Sequence, residues 1–456
     1  LNVLLIQPPI EDFYITRQRL QPTGLLYLAS SLSSQGHQVR ILDLLTPPVR
    51  TTIPLDPGLK HLEPLIPLDR TGLFKNYSRF GVASASLDGV FQSEEFEVCG
   101  ISANFAAYVK TALEAAAAAR RARPGAFIVV GGNAVPVCAE YFLESGYVDA
   151  VVFGEGETTF TEILERLKES KDLDGIGNIA FRRAGAVIRT PAVSNFDIRG
   201  TKLATGFLDH GRYPVGGRRA LSAVTSRGCP FKCSYCTAGL NCRSGYQRDP
   251  SAAETIGRYI RDEAITALNL EDENFTLDRS AAEEFLTAKI RDFPEVRLFL
   301  MNGLDYRTLD EGLLTLLRKV DLKNLGLALV DSSGGGDDRN FDRSLSIDKF
   351  SSVVRSAKGL GFDVTSYLIA GLPGQTVRGI RETAEYLWSL GSVVGLSPFY
   401  AVPGAPLADK LGWKALAFSA MRSTALLSAS EHMTSRDILD LLAFCREGNL
   451  PLKAKS

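Results

Sequence analysis

Apolar runs and helix-patterned segments alternate along two stretches of this 456-residue chain, and such alternation admits few folds. In the first stretch "NVLLIQ" (2–7), "HQVRILDLL" (37–45), "FEVCGISAN" (96–104), "AFIVVGG" (126–132) and "DAVVFGEGE" (149–157) read as strands. Segments 22–36, 108–122 and 158–170 read as the helices between them. That pattern implies parallel strands covered by helices on both faces. Residues 46–95, rich in Pro, Leu and charge, break the rhythm and read as an irregular insertion. "IGNIAFRRAGAVIRTP" then reads as a hairpin with Gly185 near its turn, followed by a linker.

A second alternation has strands at 220–226, 266–272, 296–303, 324–331, 362–374 and 394–404, with helices such as 250–264, 280–293 and 347–361 between them. Six βα units suit an open barrel of parallel strands, in which chemistry sits at the strands' carboxyl ends. The expected fold class is therefore α/β. A doubly wound, Rossmann-like domain spans 1–200 with its insertion at 46–95, a partial (β/α)6 TIM-type barrel spans 201–404, and a helical segment spans 405–456.

Charge is balanced, 51 basic against 52 acidic residues, and no long like-charge run occurs, which argues against a nucleic-acid partner. No apolar stretch is long enough for a membrane span. The opening "LNVLLIQPPIEDFY" lacks the basic flank and cleavage site of a signal peptide. Seven cysteines, mostly in one cluster, do not resemble a secreted disulfide framework, and a reducing cytoplasm is the expected setting.

That cluster is "SRGCPFKCSYCTAGLNC" (226–242), in which Cys229, Cys233 and Cys236 are spaced C-x3-C-x2-C just after the first barrel strand. Thiolates bind zinc or iron–sulfur clusters, and four ligands usually close either site. Structural zinc wants two separated pairs, but only one C-x2-C exists, and His37, His61, His210 and His432 are all distant. Cys242 as a fourth ligand would close a structural cluster. The other reading is a [4Fe–4S] cluster with one iron left open, as a catalytic metal site requires.

"CPFKCSYC" resembles the signature of the radical S-adenosylmethionine (SAM) superfamily. The resemblance, spanning roughly 215–410, implies that SAM supplies the fourth ligand through its methionine end. Reductive cleavage then gives a 5′-deoxyadenosyl radical. It also implies SAM contacts at Tyr235, at Asp272 or Glu273 of "LEDENFT", and at Gly371 and Pro373 of "LIAGLPGQT". Asp272 or Glu273 would hold the ammonium group, a charge-assisted bond; the bland alternative is a solvated acidic turn. Where many members carry Gly-x-Glu-Ser-Gly, this chain reads "LALVDSSGGGDD", which places Asp331 and Ser332 at the Glu and Ser positions. Asn302, Tyr367 and Tyr400 are substrate-facing candidates.

The first alternation resembles the cobalamin (B12)-binding domain fused to many superfamily members. Ligands of α/β sheets lie beyond the strands' carboxyl ends. That rule gathers Pro8, Ser102, Asn104, Gly131, Gly132, Gly154 and Glu155 around one crevice. Some such domains carry Asp-x-His-x-x-Gly, whose His binds cobalt. The loop "PPIEDFYITRQRLQPTG" has no His, so the lower face of cobalt is expected to lack a protein nitrogen. The alternative is a sheet that only packs against the barrel.

The resemblance implies a cobalamin-dependent enzyme of the methyltransferase-like class, methylating an unactivated carbon of a small-molecule substrate, with flavodoxin or ferredoxin as electron donor. Radical SAM chemistry of another kind without cobalamin is the alternative: a rearrangement, a cyclisation, or a methylthiolation. The last would want three N-terminal cysteines where only Cys99 and Cys138 exist. A rival of another class is a non-catalytic iron–sulfur electron carrier or docking module.

Overall fold

The computed structural model describes residues 1–194, 196–238, 245–330, 346–400, 402, 404–413 and 416–453. The N-terminal part contributes strands β1 (Asn2–Gln7), β2 (Ile10–Asp12), β3 (Gln38–Asp43), β4 (Arg50–Thr52), β5 (Ser78–Phe80), β6 (Val98–Ser102), β7 (Phe127–Gly131), β8 (Ala150–Val152), β9 (Ile179–Arg183) and β10 (Ala186–Arg189). Its helices are α1 (Thr23–Ser34), α2 (Leu87–Gln92), α3 (Val109–Ala122), α4 (Val135–Glu144) and α5 (Gly156–Lys168).

The main sheet runs β10-β9-β8-β7-β6-β1-β3. The five strands β3, β1, β6, β7 and β8 are parallel, and β9 and β10 add antiparallel at one edge. Period-2 alternation divides β1 between two cores. Leu4 and Ile6 pack with α3 and α4, whereas Val3 and Leu5 pack with α1 and α5. Gly100 is the one residue that fits where β6 passes under α5, because a Cβ there would stand 2.7 Å from Phe160. The β9–β10 hairpin turns through Ala184 and Gly185, both at positive φ, the two-residue turn that matches strand twist.

The stretch read as an irregular insertion is built more regularly than expected. β2, β5 and β4 form an antiparallel sheet, and α2 returns the chain to β6.

The second part contributes β11 (Pro214–Val215), β12 (Arg218–Ala223), β13 (Ser226–Arg227), β14 (Gln247–Arg248), β15 (Ala267–Leu270), β16 (Arg297–Phe299), β17 (Asn324–Val330), β18 (Asp363–Ala370) and β19 (Val393–Pro398). Helices α6 (Ala252–Asp262), α7 (Arg279–Asp292), α8 (Glu311–Lys319), α9 (Ile347–Gly359) and α10 (Val377–Ser389) alternate with the long strands. β12, β15 and β16 pair in parallel, as do β17, β18 and β19, and a Leu304–Leu327 bridge joins the two halves. The result is the six-stranded partial barrel expected from the alternation. Beyond it lie α11 (Pro406–Lys410), α12 (Ser435–Gly448) and α13 (Leu450–Lys453). Among the described residues no helix is long and apolar enough to cross a membrane.

Candidate functional site

The site lies where the carboxyl ends of the two parallel sheets meet. Gln21 exchanges hydrogen bonds with the backbone of Ser222, N–H to Oε1 and Nε2 to O, both 3.1 Å. The Tyr27 hydroxyl accepts from Val224 N at 3.1 Å and donates to Val224 O at 3.3 Å. Tyr213 donates to Asp43 at 2.7 Å, and Arg19 donates to the Asn302 side-chain oxygen. The first-loop residues of one domain thus touch the strand ends of the other.

The cysteine loop leaves β12 through Thr225–Gly228, which are held from two sides. Both oxygens of Asp272, 2% exposed, accept from Thr225 N at 3.0 and 3.2 Å. Thr225 Oγ1 adds a bond of 2.7 Å and Ser226 Oγ one of 2.5 Å. Burial pushes the Asp272 carboxyl up, and these donors pull it back. Glu273 is exposed and accepts from Gly228 N at 3.2 Å. Of the two carboxylates expected at an ammonium group, Asp272 is enclosed beneath the loop, and Glu273 stands at its surface. Both residues lie in the turn just past β15, where the hydrogen bonds to Thr225 and Ser226 draw Asp272 inward.

Within the loop, Cys236 N–H bonds Cys233 O at 3.0 Å, and Ala238 N–H points at Cys236 Sγ at 3.4 Å. Cys233, buried, and Cys236 and Tyr235, half-buried, pack with Val330, Leu372, Phe399 and Leu407, the apolar ends of the last three strands and α11. Cys229 is half-buried, and none of the six described cysteines is in a disulfide. The donor set suits a cluster: three thiols, a backbone N–H aimed at sulfur and a dry wall. Among the described residues no three His, Cys, Asp or Glu side chains are gathered as a ready-made metal site. Cys242, Asp331 and Ser332 lie outside the described residues.

Inside the barrel, Tyr367 stands mid-strand on β18 yet is 41% exposed. Its ring lies across Gly326 on β17 and Gly395 on β19, where a Cβ would come within 2.9 and 2.6 Å of it. Those glycines let the ring lie flat on the wall with its other face open. Asn302 is exposed, but its amide is engaged. Nδ2 donates to Glu271 O at 2.9 Å and Asp272 O at 3.2 Å, while Oδ1 faces Arg19. Tyr400 is half-buried, and burial followed by the nearby Cys236 sulfur raises its hydroxyl pKa. Gly371 (φ +98°) is buried under residues 427–429, with its N–H bonded to Gln375 and its carbonyl to Ala429. Pro373 beside it is half-buried.

On the opposite sheet, Pro8 follows β1, Ser102 ends β6, Gly131 ends β7, and Gly154 and Glu155 follow β8. With Asn104 and Gly132 they border one carboxyl edge across four adjacent strands. Gly132 has φ +120°, and a Cβ there would stand 2.7 Å from both Ala103 O and Asn104 Oδ1, so backbone passes backbone. Glu155 Oε1 is buried with no hydrogen-bond partner. Exposed Phe105, 58% accessible, stands beside Asn104.

Four participants carry no motif of their own. Arg227, Glu157 and Arg19 act across domains, and Arg307 lies over the Phe231 ring of the cysteine loop at 5.2 Å.

Residues 80–164 match the B12 binding domain, and residues 223–387 match the radical SAM superfamily. The chain is a radical SAM protein with an N-terminal B12 binding domain. This radical SAM protein is 25% identical over 342 residues to the anaerobic magnesium-protoporphyrin IX monomethyl ester cyclase of Synechocystis, covering 73% of the chain and 62% of that relative. It is 24% identical over 436 residues to the cytidylyl-2-hydroxyethylphosphonate methyltransferase of Streptomyces wedmorensis, covering 86% and 77%. Its fold is similar to that of the radical SAM methyltransferase TsrM from Kitasatospora setae, solved with cobalamin and a [4Fe–4S] cluster, at TM-score 0.71 and 16% identity, covering 97% of this chain and 90% of that one.

Proposed function

We propose that this protein is a cobalamin-dependent radical SAM methyltransferase acting on a carbon of a small molecule. The observation that carries the reading is the meeting of carboxyl edges. Gln21, Tyr27 and Arg19 tie the region after β1 to the exit of β12 and to Asn302, and Arg227 of the cysteine loop bonds Glu157 beside the glycine-lined edge, so the two edges adjoin. When bound, the cluster, SAM and cobalamin supply the electron, the radical and the methyl group.

The chain's own residues bind and orient. Cys229, Cys233 and Cys236 hold the cluster, and the absence of a fourth nearby ligand in C-x3-C-x2-C leaves one iron for SAM. Glu273, anchored by Gly228 N–H, presents its carboxylate to the SAM ammonium group. Phe399, Leu372 and Val330 exclude water around the thiolates. The open face of Tyr367 is a platform for the substrate. Gly131, Gly132 and Gly154 let backbone approach a large flat ligand, and the unpartnered Glu155 oxygen is an acceptor for an amide side arm. An electron from a flavodoxin- or ferredoxin-type reductase is required, and we place the protein in a reducing, cytoplasmic setting.

The test is anaerobic turnover with SAM carrying a labelled methyl group, hydroxocobalamin and a reductant. The expected products are 5′-deoxyadenosine, S-adenosylhomocysteine and a labelled small molecule. Formation of 5′-deoxyadenosine with all the released label in methionine, and no S-adenosylhomocysteine, would sink the methyl-transfer reading. It would favour ring closure, the activity named for the Synechocystis relative.

A further inference from the structure

Arg227, two residues before Cys229, is enclosed between the two domains. Its guanidinium lies 5.1 Å from the Tyr27 ring centroid and 4.9 Å from that of Phe196. Its Nη2 donates to Glu157 Oε1 at 2.6 Å. Glu157 is 7% exposed and sits in the first turn of α5, the helix that begins directly after Gly154 and Glu155. Burial opposes the Arg227 charge, but Glu157, and behind it Glu155, hold the guanidinium above its ordinary pKa. Around it, Val224 is tied to Tyr27, Thr225 and Ser226 to Asp272, and Gly228 to Glu273.

We propose that the Arg227–Glu157 pair couples the two cofactor sites, so that filling the cysteine loop with a cluster tightens cobalamin binding, and the reverse. This rests on the function proposed above. A buried ion pair between aromatic faces resists opening, because separating it leaves both charges unpaired out of water. The start of α5 and the approach to Cys229 are thereby ordered together. Ordering of α5 by cobalamin lowers the cost of ordering the loop around the cluster, and linkage makes the effect equal in both directions. Arg227 and Glu157 are positioning residues in this scheme, acting through the loop and helix that touch the cofactors.

The experiment is a visible-absorbance titration of the full chain with hydroxocobalamin, before and after anaerobic reconstitution of the cluster. For the parent, the cluster tightens binding by a factor within the usual coupling range of about 5–150-fold. In Glu157→Gln the factor falls toward one while binding persists. Arg227→Lys, which keeps the charge, retains more of the factor than Arg227→Gln. A merely structural pair would weaken both titrations alike and leave the ratio unmoved. An unchanged ratio in Glu157→Gln and Arg227→Gln overturns the coupling, as does a parent ratio of one. Failure of the parent to take up hydroxocobalamin at all overturns the proposed function and the coupling with it.

Discussion

Asp272, two residues past the end of β15, accepts at 2.5 Å from the hydroxyl of Ser226, which lies three residues before the first cysteine of the loop. With Thr225 N and Oγ1 also bonded to it, the carboxylate fixes the exit of β12. Asp272→Asn replaces one acceptor oxygen by a donor facing donors. Each buried donor left unsatisfied costs about 1–3 kcal/mol. The expected result is lower thermal stability and loss of iron after reconstitution, read by iron assay and thermal melt.

Glu273, the next residue in the same turn, is exposed. Glu273→Gln keeps the Gly228 bond and removes the charge, so iron content is unchanged while SAM binding weakens. Equilibrium dialysis with reconstituted protein reads this. Equal SAM affinity in parent and variant would mean that the ammonium partner lies elsewhere, with Asp331 the next candidate.

Replacing Cys229, Cys233 or Cys236 with Ala should each abolish the cluster absorbance and SAM cleavage, and replacing Cys242 should leave both. Loss of absorbance in Cys242→Ala would show a closed four-cysteine cluster and remove the open iron.

In the B12 binding domain, neighbouring glycines should respond differently. Gly132→Ala places a methyl 2.7 Å from Ala103 O at a φ of +120° and should destabilise the domain by more than 1 kcal/mol, on the order of a strained backbone position. Gly131→Ala meets nothing nearer than Val152 at 3.9 Å and should fold like the parent. Reduced hydroxocobalamin affinity in Gly131→Ala with an unchanged melt would mark this backbone as ligand-facing; parental affinity would not.

Glu271, half-buried beside the lumen, has its carboxyl pushed up first by burial, with Arg19 opposing. A carboxyl raised in the folded state stabilises fully below its unfolded pKa, and that contribution is lost as pH rises through the folded value. Glu271→Gln, which can keep the Asn269 contact, should therefore raise the melting temperature near pH 7. The gain should vanish near pH 4, below which both states are protonated. Melts of both proteins across that range check the sign.

The fold was legible where burial is two-sided. β1, β6 and β7 read as continuous apolar runs because helices cover both faces, and the barrel strands were legible from their alternation with helices. The cysteine loop was legible from spacing alone. Strand ends were less so: "DAVVFGEGE" reads as one run, yet the strand stops at Val152, because apolar residues continue into the glycine turn before α5. The β2-β5-β4 sheet was not legible, since its three-residue strands pair across distant segments. Asp272 was found, but its role depends on Thr225 and Ser226, over forty residues away in sequence. The Arg227–Glu157 pair spans 70 residues, and nothing local in either segment announces it.

No histidine follows β1, β6, β7 or β8 closely enough to reach the glycine-lined edge. His210 is held by Ala220 O and Tyr259, His61 by Ala425 O, and His432 lies beside Glu431. His37 precedes β3, at the sheet's amino end. The Co(II) spectrum of ¹⁵N-labelled protein should accordingly show no lower-axial nitrogen splitting from the protein.

Under the proposed function, the cysteine loop and the B12 binding edge face one shared space. Pulsed electron paramagnetic resonance of the reconstituted protein, with the cluster reduced and cobalamin as Co(II), tests it most directly. A resolved magnetic interaction between the two centres in every doubly loaded molecule is the expected result. Two full signals with no interaction between them would place the sites apart and rule out a shared space.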